Sequence, residues 1–188
     1  PKAGSLQIDR CVTYNYQENV WTTSSLDRST YQDQGVFNKP YATDYDSTDT
    51  PVFSEISGIT NKYGASVYYA HEVGNDQVKG GTTTSINAFI RSGDFDIDDG
   101  ELFMSMRRFM PDYKFLVGNS KVTLFISDFP SDTQTGSPLG PFTITSTTDK
   151  VDTRARGRLL SLKIENDAVG ETWRYGSFRM DAQPDGRR

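Results

Sequence analysis

The 188-residue sequence has one cysteine, one histidine and no long hydrophobic run. Cys11 has no partner for a disulfide within the chain, and one Cys with one His excludes the common Cys/His zinc sites. No apolar stretch approaches the roughly 18–20 residues that a helix needs to cross a bilayer, so we expect no membrane span. The chain also lacks an excess of positive charge, because acidic residues outnumber basic ones and the formal net charge is −5. This balance disfavours binding to nucleic acid through a general positive field.

Aromatic residues, in contrast, are abundant for so polar a chain. Phe, Tyr and Trp make up 12% of the residues, while hydrophobic residues of all kinds reach only 35%. A core of rings and β-branched side chains favours strands over helices. Runs of this composition, bounded by Gly, Pro, Asn or Asp, lie at residues 66–73, 84–92, 102–109, 121–128, 142–147 and 158–166.

The hydrophobic period of these runs is two. In the last run Leu160, Leu162 and Ile164 alternate with polar residues, as in a half-buried antiparallel strand. Helical periodicity is not sustained anywhere. The sequence therefore predicts an all-β fold of antiparallel sheets, arranged as β-propeller blades, as a β-sandwich or as both, within a larger chain.

Two domains are predicted from the order of strand patterns and polar stretches. Residues 1–51 are expected to form a strand hairpin, centred on residues 14–21, and a long polar loop that together complete an upstream β-domain. Residues 52–188 are expected to form an antiparallel β-domain. Because the chain starts inside a strand pattern without an initiator Met, we interpret it as a fragment of a longer protein. The polar ending, residues 183–188, is predicted to be a free tail at the true C-terminus.

Two polar stretches, residues 24–51 and 128–141, are predicted to be long connections. Structureless loops of this length are uncommon inside a compact domain and usually carry contacts or disorder. We therefore expect partner contacts on both stretches.

An acidic segment follows the second strand candidate. Asp94, Asp96 and Asp98 alternate and are weak candidates for a calcium site, because carboxylates in a tight loop can surround a hard cation. The spacing does not fit an EF-hand loop: counted from Asp94, glycine is seventh instead of sixth, and Ser105 stands twelfth in place of Glu. The favoured interpretation is a strand with the intervening apolar residues inward and the acids outward.

No catalytic constellation stands out. His71 is the only histidine, and no Gly-x-Ser-x-Gly nucleophile elbow lies near it, so a packed or paired histidine is favoured. A carboxylate pair for glycoside hydrolysis is compatible with the 25 acidic residues, but nothing marks one pair out. The glycines at residues 80–81 lack the order of a phosphate-binding loop and predict a hairpin turn. We predict a protein that is not an enzyme and has no cofactor.

Arginines are concentrated in the last third of the chain. Arg154, Arg156 and Arg158 alternate, and Arg174 and Arg179 follow. On a strand, alternate guanidinium groups project to one side, where they can contact a protein interface or face phosphates. The alternative is a surface ladder of charges that nearby acids neutralise, namely Asp152, Glu165 and Glu171. The acidic balance favours interface contact or pairing within the chain over nucleic acid.

A succession of short motifs runs through most of the chain. They lie at residues 14–21, 26–29, 35–37, 40, 70–74, 92–95, 111–112, 154–158, 173–176 (WRYG) and 184–188 (PDGRR). In this order they resemble the C-terminal part of the tail hub or nozzle proteins of short-tailed bacteriophages.

The resemblance implies a structural subunit of a sixfold ring, built around a β-propeller with additional sheets. Such a ring closes the DNA channel after packaging and conducts DNA on ejection. The implied partners are identical subunits, neighbouring tail or portal-adaptor proteins and tail fibres, while DNA passes without specific binding. The implied location is the virion, assembled in the host cytoplasm.

A second function class stays open from the residues themselves. A β-sandwich that binds or cleaves glycans uses surface aromatic rings and a carboxylate pair. The candidate rings are Tyr41, Tyr45, Tyr68 and Tyr69. Rings of this kind more often serve core or edge packing.

Overall fold

The structure is a computed structural model that describes residues 8–26, 28, 30–45, 66–79, 81–129 and 138–187. Strands are the main secondary structure of these residues, and every pair of strands is antiparallel. The prediction of an all-β fold of antiparallel sheets is confirmed. In this part of the chain no helix is long and apolar enough to cross a membrane.

The strands are β1 (Arg10–Asn15), β2 (Val20–Ser25), β3 (Thr30–Gln32), β4 (Tyr41–Tyr45), β5 (Ser66–Ala70), β6 (Asp76–Lys79), β7 (Thr82–Ser85), β8 (Phe89–Arg91), β9 (Met104–Val117), β10 (Ser120–Ser127), β11 (Leu139–Ile144), β12 (Val151–Gly157), β13 (Leu159–Glu165) and β14 (Thr172–Pro184). A short 3-10 turn at Asp98–Gly100 precedes β9. Contacts divide the chain into two compact units, Pro1–Val73 and Gly74–Arg188. The predicted domain boundary at residue 51 lies outside the described residues.

The first unit contains a two-stranded hairpin, β1–β2, and a three-stranded sheet of order β3-β4-β5. In the hairpin Tyr14 pairs with Trp21, as the sequence predicts. The expectation of one long connection over residues 24–51 was wrong, because β3 and β4 lie inside it. Both strands are polar but rich in Thr and Tyr, which suit a pleated surface; the rest of that stretch, beyond residue 45, lies outside the described residues.

The second unit contains two sheets that share one hydrophobic core. The first has three strands in the order β12-β9-β14, and the second has four in the order β11-β10-β13-β8. The core is built from alternate residues of both sheets, as in a β-sandwich. Its buried members are Met104, Met106, Phe109, Val122, Leu124, Ile144, Ala155, Leu160, Leu162 and Ile164. A separate hairpin, β6–β7, has Lys79 opposite Thr82, and Gly81 lies in its turn as predicted; Gly80 lies outside the described residues.

The chain passes between the two sheets at two tight connections. Gly118 and Asn119 join β9 to β10, and Arg158 alone joins β12 to β13. Gly118 has a φ of +73°, a conformation that glycine adopts without strain. Gly157 is required for space, because a Cβ there would lie 2.2 Å from Cγ2 of Ile126.

Several predicted strand boundaries were wrong. The run at 84–92 is split into β7 and β8, which pair with different sheets. The run at 102–109 is the start of a strand that continues past Pro111 to residue 117. β12 pairs with β9 only as far as Phe109, so Pro111 lies where one side of β9 is open and its missing N–H breaks no ladder bond there.

The second long connection and the tail also differ from expectation. β11 starts at Leu139, so residues 139–141 belong to a strand, while residues 130–137 lie outside the described residues. Residues 183–187 are not a free tail. β14 extends to Pro184, and the backbone N–H of Asp185 donates to the carbonyl of Phe103 at 2.7 Å.

Candidate functional site

The outer face of the β12-β9-β14 sheet carries three of the five predicted site arginines, Arg154, Arg156 and Arg179. Because the pleat points alternate residues to opposite sides, the positions next to the inward-facing Phe109, Ala155 and Phe178 project away from the core. We call this surface the charged face. Its members are Arg108 and Asp112 on β9, Asp152, Arg154 and Arg156 on β12, and Arg179 and Asp181 on β14.

Two of the predicted site arginines are engaged by carboxylates of the same chain. Arg156 donates from Nε to Asp185 at 2.6 Å, and its guanidinium lies 4.2 Å from the ring centre of Phe103. Arg179 donates from Nε to Asp112 at 2.6 Å. These pairs are exposed, so each contributes little to stability.

The acids that were expected to neutralise Arg154, Arg156 and Arg158 contact other groups. Asp152 lies 3.8 Å from Arg108, a residue that also approaches Asp181 at 3.6 Å. Glu165 accepts from Lys163 at 2.5 Å. Glu171 is buried and accepts backbone N–H groups of its own loop and the neighbouring turn. The predicted acidic partners were therefore wrong. Strand pairing instead brings Asp112 to Arg179 and Asp185 to Arg156 from distant parts of the sequence.

Arg154 and Arg158, the other two arginines of the alternating set, differ in their surroundings. Arg154 is exposed, and no ion pair forms with it among the described residues. Arg158 is half-buried at the corner between β12 and β13, with its guanidinium 5.2 Å from the ring centre of Phe103 and 5.6 Å from that of Phe129. Its Nε is buried and has no hydrogen-bond partner among the residues that the structure describes. The alternation of Arg154, Arg156 and Arg158 thus ends at the corner, where the chain changes sheets.

Arg174, another predicted site arginine, lies on a second basic surface, whose other members were not foreseen from the sequence. A shallow depression of about 380 Å³ at the far end of β9 is lined by Lys114, Phe115, Thr172, Trp173 and Arg174. We call it the basic-aromatic patch. Arg174 pairs across the strands with Phe115, and Trp173 pairs with Leu116. Only the register of β9 with β14 brings these residues together, so the spacing of residues along the chain carries no signal for the patch.

The acidic segment has the predicted orientation. Phe95 and Ile97 pack against the core, while Asp94, Asp96 and Asp98 are exposed. We call residues 94–101 the acidic turn. Across the described ranges, no group of three or more His, Cys, Asp or Glu residues is arranged to hold a metal ion.

His71 is a paired histidine. Its Nε2 lies 3.3 Å from Nε of Arg28, which donates to it, and its ring lies 5.7 Å edge-on from Tyr31. Burial lowers the pKa of His71, and the neighbouring Arg28 charge lowers it further. The imidazole therefore stays neutral near pH 7 and serves as a hydrogen-bond acceptor for Arg28.

Two half-buried tyrosines lie near the basic-aromatic patch. Tyr113 and Tyr175 meet edge-to-face at 5.3 Å, and the hydroxyl of Tyr113 contacts Ser120 Oγ at 2.6 Å. Burial raises the pKa of both phenols. Both stay protonated near neutral pH and are suited to packing.

Comparison with known proteins does not assign the chain to a family. No protein-family model matches it, and no curated protein matches it in sequence.

Proposed function

We propose that the chain is a structural, non-catalytic subunit of a larger assembly, with the tail hub or nozzle ring of short-tailed bacteriophages as its specific setting. In that setting identical subunits form a ring, contact neighbouring tail proteins and tail fibres, and conduct DNA without binding it specifically. The phage setting rests on the sequence resemblance. The general role as an assembly subunit rests on the surface of the first unit.

The β1–β2 hairpin carries the observation on which the proposal depends. Val12, Tyr14 and Trp21 share one face of the hairpin, because Tyr14 lies directly opposite Trp21. Val12 is 63% exposed and Trp21 is 66% exposed. A two-stranded hairpin is marginally stable in water by itself and needs a partner for its apolar face. Assembly with another subunit supplies such a partner.

The charged face supports the DNA-conducting part of the proposal. Arg156 and Arg179 are engaged by carboxylates, and the chain carries a net charge of −5. Each phosphate neutralised by a protein adds salt-dependent affinity, which retards passage. Arginines that are paired with carboxylates therefore suit a channel subunit, because they bind passing DNA less tightly than unpaired arginines do.

The proposal is tested by electron microscopy of the purified chain and of a hairpin variant. We expect closed rings from the wild type and their loss in Val12→Lys, since a charge in the apolar face opposes burial. Val36→Lys is the matched control, because Val36 is 92% exposed and lies outside the hairpin. Rings that persist in Val12→Lys, or a wild type without rings, contradict the proposal.

A glycan-binding module is the second candidate. Tyr41 and Tyr68 stack with ring centres 5.0 Å apart and an interplanar angle of 15°, and Tyr68 is exposed. Exposed ring faces of this kind stack on sugars. A glycan array probed with the chain distinguishes the two candidates. Binding that is abolished by Tyr68→Ala favours the glycan-binding module, whereas an array without signal favours the assembly subunit.

A further inference from the structure

The two ends of β9 carry opposite charge. β9 spans Met104–Val117, and 14 residues at about 3.3 Å each extend over roughly 45 Å. The acidic turn immediately precedes the start of β9. The basic-aromatic patch lies at the other end, where Lys114 and Phe115 face the first residues of β14. The acidic turn and the basic-aromatic patch therefore lie at opposite ends of β9.

Neither end is neutralised within the described part of the chain. In the acidic turn, Asp94, Asp96, Asp98 and Asp99 are exposed, and only Glu101 forms an ion pair there, with Arg187 at 3.3 Å. In the basic-aromatic patch, neither Lys114 nor Arg174 has an ion pair among the described residues. Asp112, the acid nearest to Lys114 along β9, is engaged by Arg179.

We propose that the acidic turn of one copy of this chain docks on the basic-aromatic patch of the next copy. The proposal rests on the assembly role argued above and names the contact that joins the subunits. Lys114 and Arg174 would pair with the exposed aspartates. Phe115, 52% exposed, lies directly opposite Arg174, where it would exclude water from the contact and so strengthen the ion pairs.

A second copy fits the patch better than a nucleic acid. The net charge of −5 opposes a long polyanion over most of the surface, whereas a compact acidic turn meets only the patch. Because the two docking surfaces differ, the contact is head-to-tail. A head-to-tail contact produces a closed ring when the rotation between subunits closes, and a filament when it does not.

Charge reversal at each end tests the proposal by sedimentation of the 188-residue chain. The patch variant is Lys114→Glu with Arg174→Glu, and the turn variant is Asp96→Lys with Asp98→Lys. We expect each variant alone to self-associate about tenfold or more weakly than the wild type. The double variant Arg107→Glu with Lys150→Glu is the control for the patch variant. It makes the same change of net charge as the patch variant, but at exposed sites outside the patch.

Mixing the two variants is the decisive step. In the mixture, the native turn of the patch variant meets the native patch of the turn variant, and the two reversed surfaces also match. We expect equal amounts to restore assembly, with both variants in one particle. Circular dichroism checks that each variant is folded.

The possible results separate this inference from the proposed function. A wild type that assembles, with variants that assemble equally well or a mixture that fails to recover, overturns the docking contact and leaves the assembly role standing. A wild type that stays monomeric at every concentration overturns both. Weakened variants whose mixture recovers, beside an unaffected control, establish the head-to-tail contact.

Discussion

At the scale of single residues, His71 reports on the packing of the β3-β4-β5 sheet. Its pKa is lowered by burial and by Arg28, so the folded state favours the neutral ring. The folded pKa lies below the unfolded one, and the stabilisation is present above the unfolded pKa and is lost as pH falls through the folded value. The first unit should therefore become less stable between about pH 7 and pH 5, the range around the ordinary histidine pKa.

This prediction is checked by NMR titration, because the chain has one histidine. We expect the imidazole to titrate below 6.5, its ordinary value, and Arg28→Gln to raise the midpoint. Unfolding followed at pH 7 and pH 5 should show a smaller loss of stability in His71→Gln than in the wild type. A midpoint at or above 6.5 contradicts the paired and buried histidine described above.

Glu171 organises the loop between β13 and β14. Its carboxylate accepts backbone N–H groups from Asn119 at 3.2 Å, Asp167 at 3.2 Å and Ala168 at 3.0 Å. We expect Glu171→Ala to lower the free energy of unfolding by about 1–3 kcal/mol, because three backbone N–H groups lose their acceptor. Glu171→Gln keeps one acceptor oxygen and should cost about half as much.

Chemical denaturation measures both effects. Glu101→Ala is the matched control, because Glu101 is exposed and its pair with Arg187 at 3.3 Å should contribute less than about 1 kcal/mol. Equal losses from Glu171→Ala and Glu101→Ala would show that the buried carboxylate has no special role.

At the scale of elements, the two sheets are closely packed at the corner between β12 and β13. A Cβ on Gly157 would lie 2.2 Å from Cγ2 of Ile126 and 3.2 Å from the carbonyl oxygen of Ser127. Gly157→Ala should lower the free energy of unfolding by about 1–3 kcal/mol, since the added methyl overpacks the contact between the sheets. Ile126→Ala removes the clashing methyl, so the double variant should lose less than the sum of the single variants.

Thermal or denaturant unfolding completes that double-mutant cycle. Gly93→Ala serves as the control, because a Cβ there meets no atom within 4 Å. Additive losses from Gly157→Ala and Ile126→Ala would contradict a direct contact between the two sheets at this corner.

Elements with a strong local pattern could be predicted from the sequence. The alternation of Leu160, Leu162 and Ile164 identified β13, and Phe95 and Ile97 were correctly placed inward. β3 and β4 were missed because they are short and polar, and they are stabilised by pairing with each other and with β5. Strand limits that depend on a neighbour, such as the end of β9, are not encoded in local composition.

The candidate site was less predictable than the fold. Arginine types and positions are visible in the sequence, but their partners are not. Asp185 lies 29 positions from Arg156, and Asp112 lies 67 positions from Arg179. Cross-strand register decides such contacts, and a shift of one residue would place each side chain on the other face.

At the scale of the whole molecule, acidity sets the expected behaviour toward DNA. With a net charge of −5, and with Arg156 and Arg179 paired to carboxylates, the chain should not bind duplex DNA. Proteins that bind DNA non-specifically do so with Kd values of about 10⁻⁴ to 10⁻⁶ M at physiological salt. Fluorescence anisotropy at that salt should show no saturable binding up to about 100 μM protein. Saturable binding that weakens steeply with added salt would contradict the account.

The central claim is that this chain is built to assemble with copies of itself, and the mass of its particles in solution tests it most directly. Native mass spectrometry of the purified chain should give one dominant species at a fixed multiple of 21.1 kDa. That species should lose subunits in Val12→Lys and in the patch variant. A dominant species at 21.1 kDa across the accessible concentration range would contradict the claim.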